Sequence, residues 1–337
     1  MINGLGVGLN DSAGSALRNF DADAIAYSDR SSISVIRSEL SQEQVEAIAA
    51  VPGASASAPL GYLAVNYQSD DGVIESAAFL GYDPGSIAQP EVIDGRELTT
   101  NDANGILADS LFLKASGLSV GDEVSISLRL TEEIFTIVGE IDQGSFFFQP
   151  AAYILRSTWQ QMKYGDQQGA PVASIVLLQG DDLAGVTGPG FEIVDKNTAF
   201  NNIEGVSGQQ ATVVSLRVFG YLIGATVIGV FFYVLTLQKV PQIGVLKAIG
   251  ASNGFVFRQI LLQVIALSVI GLLISVPLAW LTYRALQSLP DAVPIAFTTS
   301  TYLTTCGALL LTAIIGALFS GRQVIKTDPI IALGQQQ

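Results

Sequence analysis

Hydrophobic and polar positions divide this chain sharply. Three stretches, residues 218–238, 260–283 and 302–321, contain no Asp, Glu, Lys or Arg. Each is long enough to cross a bilayer as a helix, which takes about 20 predominantly apolar residues. Before Arg217 the pattern shortens to the scale of a water-soluble domain. Ser41 followed by Gln44, with Val45, Ile48 and Ala49 on one face, predicts a capped amphipathic helix that Pro52-Gly53 stops. Alternating or apolar runs predict strands at 62–67, 74–81, 123–130 and 134–141, with Gly121-Asp122 turning into the third. Residues 104–116 read as a strand leading to a helix, 146–154 as an extended run, 157–162 as the start of a helix and 172–178 as a buried strand. Residues 180–182 and 185–190 read as loops, and the polar 195–210 stretch leads to the membrane. The fold class expected is therefore an α+β domain followed by three transmembrane α-helices.

Charge sharpens the division. Residues 1–216 hold 9 Lys+Arg and 28 Asp+Glu, a net of −19, whereas residues 217–337 hold 7 and 2, a net of +5. An acidic soluble part argues against nucleic acid as a partner, because phosphate contacts need Lys/Arg clusters. The sequence has no histidine, and Cys306 is its one cysteine. That excludes an internal disulfide, a Cys/His zinc site and a Ser-His-Asp triad. Cys306, inside the last apolar stretch, reads as a small packing residue.

The loops orient the spans. Lys239, Lys247 and Arg258 lie between the first two with no acidic residue, and Arg322 and Lys326 follow the third. The Lys/Arg bias places the 239–259 loop and the C-terminus in the cytoplasm, and hence residues 1–216 outside it. An external N-terminal domain needs a signal peptide or a preceding helix, and Met1-Ile-Asn-Gly-Leu-Gly-Val-Gly-Leu supplies neither. The expectation is that an upstream transmembrane helix precedes this chain, with residues 1–17 as its external exit. Gly4, Gly6 and Gly8 follow no strand and are not a nucleotide fingerprint.

Several features have the spelling of active sites without the context. Gly117-Leu-Ser-Val-Gly121 matches a nucleophile elbow but has no histidine partner and runs into a turn. Asp70-Asp71 and Asp181-Asp182 lack a third ligand at a closing distance in sequence and read as solvated loops. Phe146-Phe147-Phe148 reads as a strand buried on both faces or as a contact surface. A Gly-x-x-x-x-Gly-Lys-[Ser/Thr] loop is absent from the sequence, so this chain does not hydrolyse ATP by that route. No catalytic residue, metal ligand or cofactor site is expected in it. Gly220-x-x-x-Gly224 and Gly316-x-x-x-Ser320 have the spacing of close helix contacts. Arg217, Arg258 and Arg284 sit at span ends, where snorkelling is the default.

The loop between the first two spans carries the functional signal. Pro241 suits the first turn of a helix, Gly250 its C-terminal cap, and Ser252 or Asn253 the cap of the next. A short helix over 242–249 follows, offering Ile243, Leu246 and Ile249 as apolar contacts and Lys247 as a charge. Such a helix either rests on lipid headgroups or docks into a partner's groove, and physics alone leaves both open.

Ile243-Gly-Val-Leu-Lys-Ala-Ile-Gly-Ala-Ser252, between two spans, resembles the signature loop of MacB/FtsX-type ABC transporter permeases. The terminal Asp328-Pro329-Ile-Ile-Ala332-Leu333 resembles that family's last element. Asp94-Gly-Arg-Glu-Leu98, Gly117-Leu-Ser-Val-Gly-Asp122, Phe135-Thr-Ile-Val-Gly139 and the helix of residues 45–52 are similar to its external domain. The resemblance covers nearly the whole chain. It implies four membrane helices, of which this sequence shows the last three, and residues 18–212 as a MacB-like core ahead of an FtsX-like domain at 213–337. It further implies a bacterial inner-membrane permease subunit that binds a separate ABC ATPase, the ATP being held there, through Gln242, Ile243, Gly244, Val245, Leu246, Lys247, Ala248, Ile249, Gly250 and Ala251. A second permease copy and a membrane-fusion or adaptor protein are the other partners implied. Gln242 stands where many members have Glu, which replaces a salt bridge by a hydrogen bond. An FtsX-like signalling subunit acting on a cell-wall hydrolase, and an anchored sensor without ATPase, are the alternative functions.

Overall fold

The computed structural model describes residues 2–128, 131–287 and 294–325. The chain divides into two compact units, residues 9–209 and, separately, the residues up to Gly8 together with those from Gln210 on.

In chain order the elements of the first part are α1 (Ile2–Asn19), β1 (Ala24–Ser28), α2 (Gln42–Ala49), β2 (Ala54–Gln68), β3 (Ile74–Tyr82), β4 (Val92–Gly95), β5 (Gly105–Asp109), α3 (Ser110–Ser116), β6 (Glu123–Leu128), β7 (Thr131–Ile141), β8 (Ser145–Phe146), β9 (Gln149–Leu155), α4 (Arg156–Tyr164), β10 (Ile175–Gly180), β11 (Thr187–Gly188), β12 (Phe191–Asp195) and α5 (Lys196–Asn201). The strands form one mixed sheet in the order β11-β12-β1-β10-β2-β3-β9-β5-β7-β4, with β6 against β2 and β7 and β8 against β9. β3–β9 and β5–β7 are parallel, and the remaining pairs are antiparallel. The 15-residue β2 joins two halves: Leu60 and the residues before it pair with β10, and Gly61 onward pairs with β3.

Both faces of this sheet are covered. Ile25 and Tyr27 face one core with Leu80, Tyr82, Leu107 and Tyr153, together with Ala13, Ala16 and Leu17 of α1 and Phe200 of α5. Ala24 and Ala26 face the opposite side with Ile48 of α2, while Phe79, Ile106 and Ile154 face Phe112 of α3 and Trp159 of α4. Strands buried on both sides need apolar residues at every position. Ala24–Ser28 and Gly105–Asp109 are buried throughout.

The N-terminal capping box forms as read: Ser41 Oγ accepts from the Gln44 N–H and Gln44 Oε1 accepts from the Ser41 N–H. The extended run expected at 146–154 is instead a hairpin. Phe146 pairs with Gln149, and Phe147 and Phe148 reverse the chain at φ 52° and 61°. A left-handed backbone disfavours bulky side chains. Here the Phe147 ring packs on Tyr62 and Phe146, and its N–H donates to Ala13 O, which offset that cost.

The second unit contains α6 (Val206–Gln238), α7 (Val240–Ala248), α8 (Asn253–Gln287) and α9 (Thr299–Ile325). α6 and α8 are long and apolar enough to cross a membrane. α9 runs for 27 residues. Residues 2–8 pack in this unit as the start of α1, where the sequence led us to expect an exit segment. A Cβ at Gly4 would stand 3.0 Å from the Phe297 ring, and one at Gly8 would collide with Pro294 O. Asn3 Nδ2 donates to Thr305 Oγ1 at 2.6 Å and to Tyr221 Oη at 3.0 Å. Gly4 and Gly8 thus let α1 lie close against the extended segment 294–297 that precedes α9. Gly220 meets only Ile2 Cδ1, at 3.5 Å, and Gly224 faces open space.

Candidate functional site

The chain turns from α6 into α7 through Lys239, which is the N-cap, and Pro241 lies in the first turn. Proline costs nothing there, because the first N–H groups of a helix lack intrahelical acceptors. Ile249 caps the C-terminus and Gly250 follows at φ 100°, the left-handed position glycine tolerates. Ser252 Oγ then accepts from the Phe255 N–H at 3.3 Å and starts α8. Two membrane-length helices are therefore joined by a nine-residue helix stopped cleanly at both ends.

The faces of α7 differ. Gln242, Val245, Ala248 and Ile249 are exposed, Val245 at 52% and Ile249 at 78%. Ile243, Leu246 and Lys247 are half-buried and Gly244 is buried. Ile243 lines a small gap with Phe232, Leu235, Ile260 and Val264 of α6 and α8. Lys239 Nζ donates to Gln263 Oε1 at 2.6 Å, tying the start of α7 to α8. Of the three apolar contacts expected from sequence, only Ile249 points outward. Val245, which the loop pattern alone did not single out, stands one turn before it; the i, i+3, i+7 spacing of Gln242, Val245 and Ile249 carries that information. Lys239, Lys247 and Arg258 lie in or beside α7, and the sequence has no acidic residue between Arg217 and Gln287, so the surroundings of α7 are positively charged. Asp328, Pro329, Ala332 and Leu333 lie outside the described residues.

The motifs of the sheet domain have structural work. Gly95, at φ 81°, packs so closely that an added Cβ would stand 2.8 Å from the Gly139 Cα. Arg96 N donates to Val138 O and Gly121 N to Ile137 O. Arg96 forms a two-pronged ion pair with Asp102, at 2.7 and 2.8 Å, and Asp102 also accepts from Thr99. These bonds hold the Asp102 carboxyl well below its ordinary range. The motifs at 94–98, 117–122 and 135–139 thus converge on one closely packed corner of the sheet. Gly117 is the left-handed cap of α3, so no nucleophile elbow forms at 117–121. Asp70-Asp71 and Asp181-Asp182 are exposed. Among the described residues no cluster of three His, Cys, Asp or Glu side chains is placed to hold a metal.

Residues 214–329 match the family model described as FtsX-like permease C-terminal, which encloses α7 and its flanking helices. The putative hemin transport system permease protein HrtB of Staphylococcus haemolyticus is 27% identical over 229 residues, 68% of this chain and 63% of that protein. An uncharacterised ABC transporter permease of Mycobacterium tuberculosis is 21% identical over 291 residues, 85% of this chain and 77% of its own length. The extracellular domain of the noncanonic ABC-type transporter YknZ, from Gram-positive bacteria, aligns with a TM-score of 0.37 at 13% identity, covering 52% of this chain and 100% of that one. The periplasmic region of MacB from Actinobacillus actinomycetemcomitans aligns with a TM-score of 0.37 at 16% identity, covering 55% and 94%. This chain spans less than two thirds of the length of HrtB.

Proposed function

From the FtsX-like permease domain at residues 214–329, we propose that this chain is the membrane subunit of an ABC transporter, moving substrate at the expense of ATP hydrolysed by a separate subunit. The observation that carries the reading is the exposed face of α7, Gln242, Val245, Ala248 and Ile249, held between two membrane-length helices. A helix that only rested on headgroups would be expected to set Lys247 toward them with a broad apolar side below. Here the outward apolar surface is narrow, with glutamine at one end, a shape suited to a groove on a protein partner. Lys239, Lys247 and Arg258 favour the cytoplasmic side for α7 and, with it, an acidic sheet domain outside the cytoplasm. The open face at Gly224, with exposed Val227 and Phe231 nearby, is suited to close packing of a second copy.

Co-expression with ABC ATPases tests the reading. An ATPase should copurify with the full chain and hydrolyse ATP faster when bound, and Ile249→Asp should lower that association at least tenfold, about 1.4 kcal/mol. Purification of the chain without any ATPase, or an association indifferent to Ile249→Asp, would point to an anchored sensor instead.

A further inference from the structure

Asp109 is a carboxylate with no exposed surface in a strongly apolar core, and it forms none of the ion pairs found among the described residues. Such a group is costly to bury unless its oxygens are satisfied. One oxygen caps α3, accepting from the Leu111 N–H at 2.9 Å. A cap needs no more than that, and Asn or Ser would serve. The other oxygen accepts two further backbone N–H groups, from Gln143 at 2.7 Å and Gly144 at 2.6 Å. Those bonds fix the N–H groups of Gln143 and Gly144, just ahead of the two-residue strand β8, whose short ladder with β9 holds Ser145 and Phe146.

That segment grips α1. Asn19 Nδ2 donates to Gln143 O at 2.9 Å, Ser145 N donates to Ser15 Oγ at 2.9 Å, and Phe147 N donates to Ala13 O at 3.0 Å. Gly144 has no Cβ because Ser15 occupies the place one would take. The three contacts straddle Gly14, where α1 breaks from helical geometry. Gly14 in turn lies against Ile203 and Phe200, too close for a side chain. Beyond the Phe147 contact the strap ends in the left-handed Phe147-Phe148 turn, with the Tyr62 ring tilted against Phe147. The strap is therefore held at both ends and spans the break.

We propose that Asp109 is a positioning residue: it anchors the strap of residues 142–148, which sets the break in α1 at Gly14. The chain passes between its two units twice, after Gly8 within α1 and after Gln209 within α6. α1 is thus one of two covalent routes by which movement in the membrane unit reaches the sheet domain. A strap that fixes its shape makes that route stiff. The inference rests on the transporter reading for its consequence, but not for its structural content.

Hydrogen exchange on the full chain in nanodiscs tests it. Asp109→Ala should speed exchange at Gln143, Gly144, Ser145 and Phe147 at least tenfold, leaving the β1–β12 ladder at Ile25 and Val194 unchanged. Asp109→Asn, which has one acceptor for three donors, should show the same change at smaller amplitude. Ser15→Ala should free Ser145 alone. Unaltered exchange in the strap, in Asp109→Asn and Ser15→Ala as well as in any folded Asp109→Ala, overturns the anchor. With the ATPase present, Asp109→Asn should bind it as the wild type does but lose at least threefold of the stimulated activity; full stimulation with a loosened strap overturns the positioning role. If the wild-type chain binds no ATPase, the transporter reading fails while the exchange result still decides the anchor.

Discussion

Val245 and Ile249 stand one helical turn apart on the outward side of α7, while Ile243 turns inward against Ile260 and Val264. Two isoleucines six residues apart thus have different surroundings. Ile243→Asp should put a charge against Phe232, Leu235, Ile260 and Val264, with Lys239 at the edge of the same gap, and lower the yield and thermal stability of the membrane unit. Ile249→Asp should leave both unchanged, because the side chain already meets solvent. Measured melting temperatures in detergent should separate the two by several degrees. Equal stability of the two variants would mean that the faces of α7 are assigned the wrong way round.

Gly61 and Gly81 form a cross-strand pair between β2 and β3, and the Trp159 indole lies over both. A Cβ on either would run into the ring. Gly61→Ala or Gly81→Ala should destabilise the sheet domain by about 1–3 kcal/mol, the usual cost of overpacking. Hydrogen exchange in the β2–β3 ladder at increasing denaturant would measure it, with or without Trp159. Trp159→Leu should restore part of the loss of Gly61→Ala, whose Cβ meets the indole ring, but not that of Gly81→Ala, whose nearest neighbour is the Trp159 Cβ that leucine keeps; strictly additive effects at Gly61 would argue against direct contact.

These cases show what the sequence discloses. The capping box, α3, β3, β7 and the apolar helices α6, α8 and α9 were readable because each depends on local chemistry: a side-chain cap, an alternation, an uninterrupted apolar run. β1 was not singled out, since a short strand buried on both faces, such as Ala24–Ser28, lacks the alternation of a one-sided strand. The Phe147-Phe148 turn was read as part of a strand because its left-handed backbone is imposed by Tyr62 and Ala13, distant in sequence. α7 was legible as a helix with two stops, while its orientation depends on packing against α6 and α8. Gly4 and Gly8 were read only against a nucleotide motif; the segment 294–297 that packs on them is distant in sequence, so nothing local announced the contact.

Burial pushes the Asp109 carboxyl up to about 6, against the pull of its N–H bonds from Gly144, Leu111 and Gln143, and Asp142 adds to the rise. Glu140, bonded to Ser110 beside it, and Tyr153 are the other titratable groups near it. The folded domain therefore holds this proton more tightly than the unfolded chain does. The stabilisation is complete below the ordinary carboxylate value of 3.8 and is lost as pH rises through about 6. Asp109→Asn removes the titration. The difference in melting temperature between wild type and Asp109→Asn should accordingly change between about pH 4.5 and about pH 7, in the sense that the wild type loses ground as pH rises. A constant difference across that range would contradict a raised Asp109.

Gly8 and Gly224 make opposite predictions. A Cβ at Gly8 would strike Pro294 O within the membrane unit, so Gly8→Leu should impair folding of the monomer. Gly224 has room for a side chain, so Gly224→Leu should insert and fold normally but weaken self-association, if that face receives a second copy. Single-molecule photobleaching in nanodiscs would count copies. A dimer unaffected by Gly224→Leu would move the interface to another helix.

The most direct measurement places a photo-crosslinking side chain in turn at Gln242, Val245, Ile249 and Ile243 of the full chain, with the ABC ATPase co-expressed. The account predicts ATPase adducts from Gln242, Val245 and Ile249 and none from Ile243. Adducts from Ile243, or lipid adducts alone from the other three, would contradict α7 as the surface through which ATP hydrolysis drives this protein.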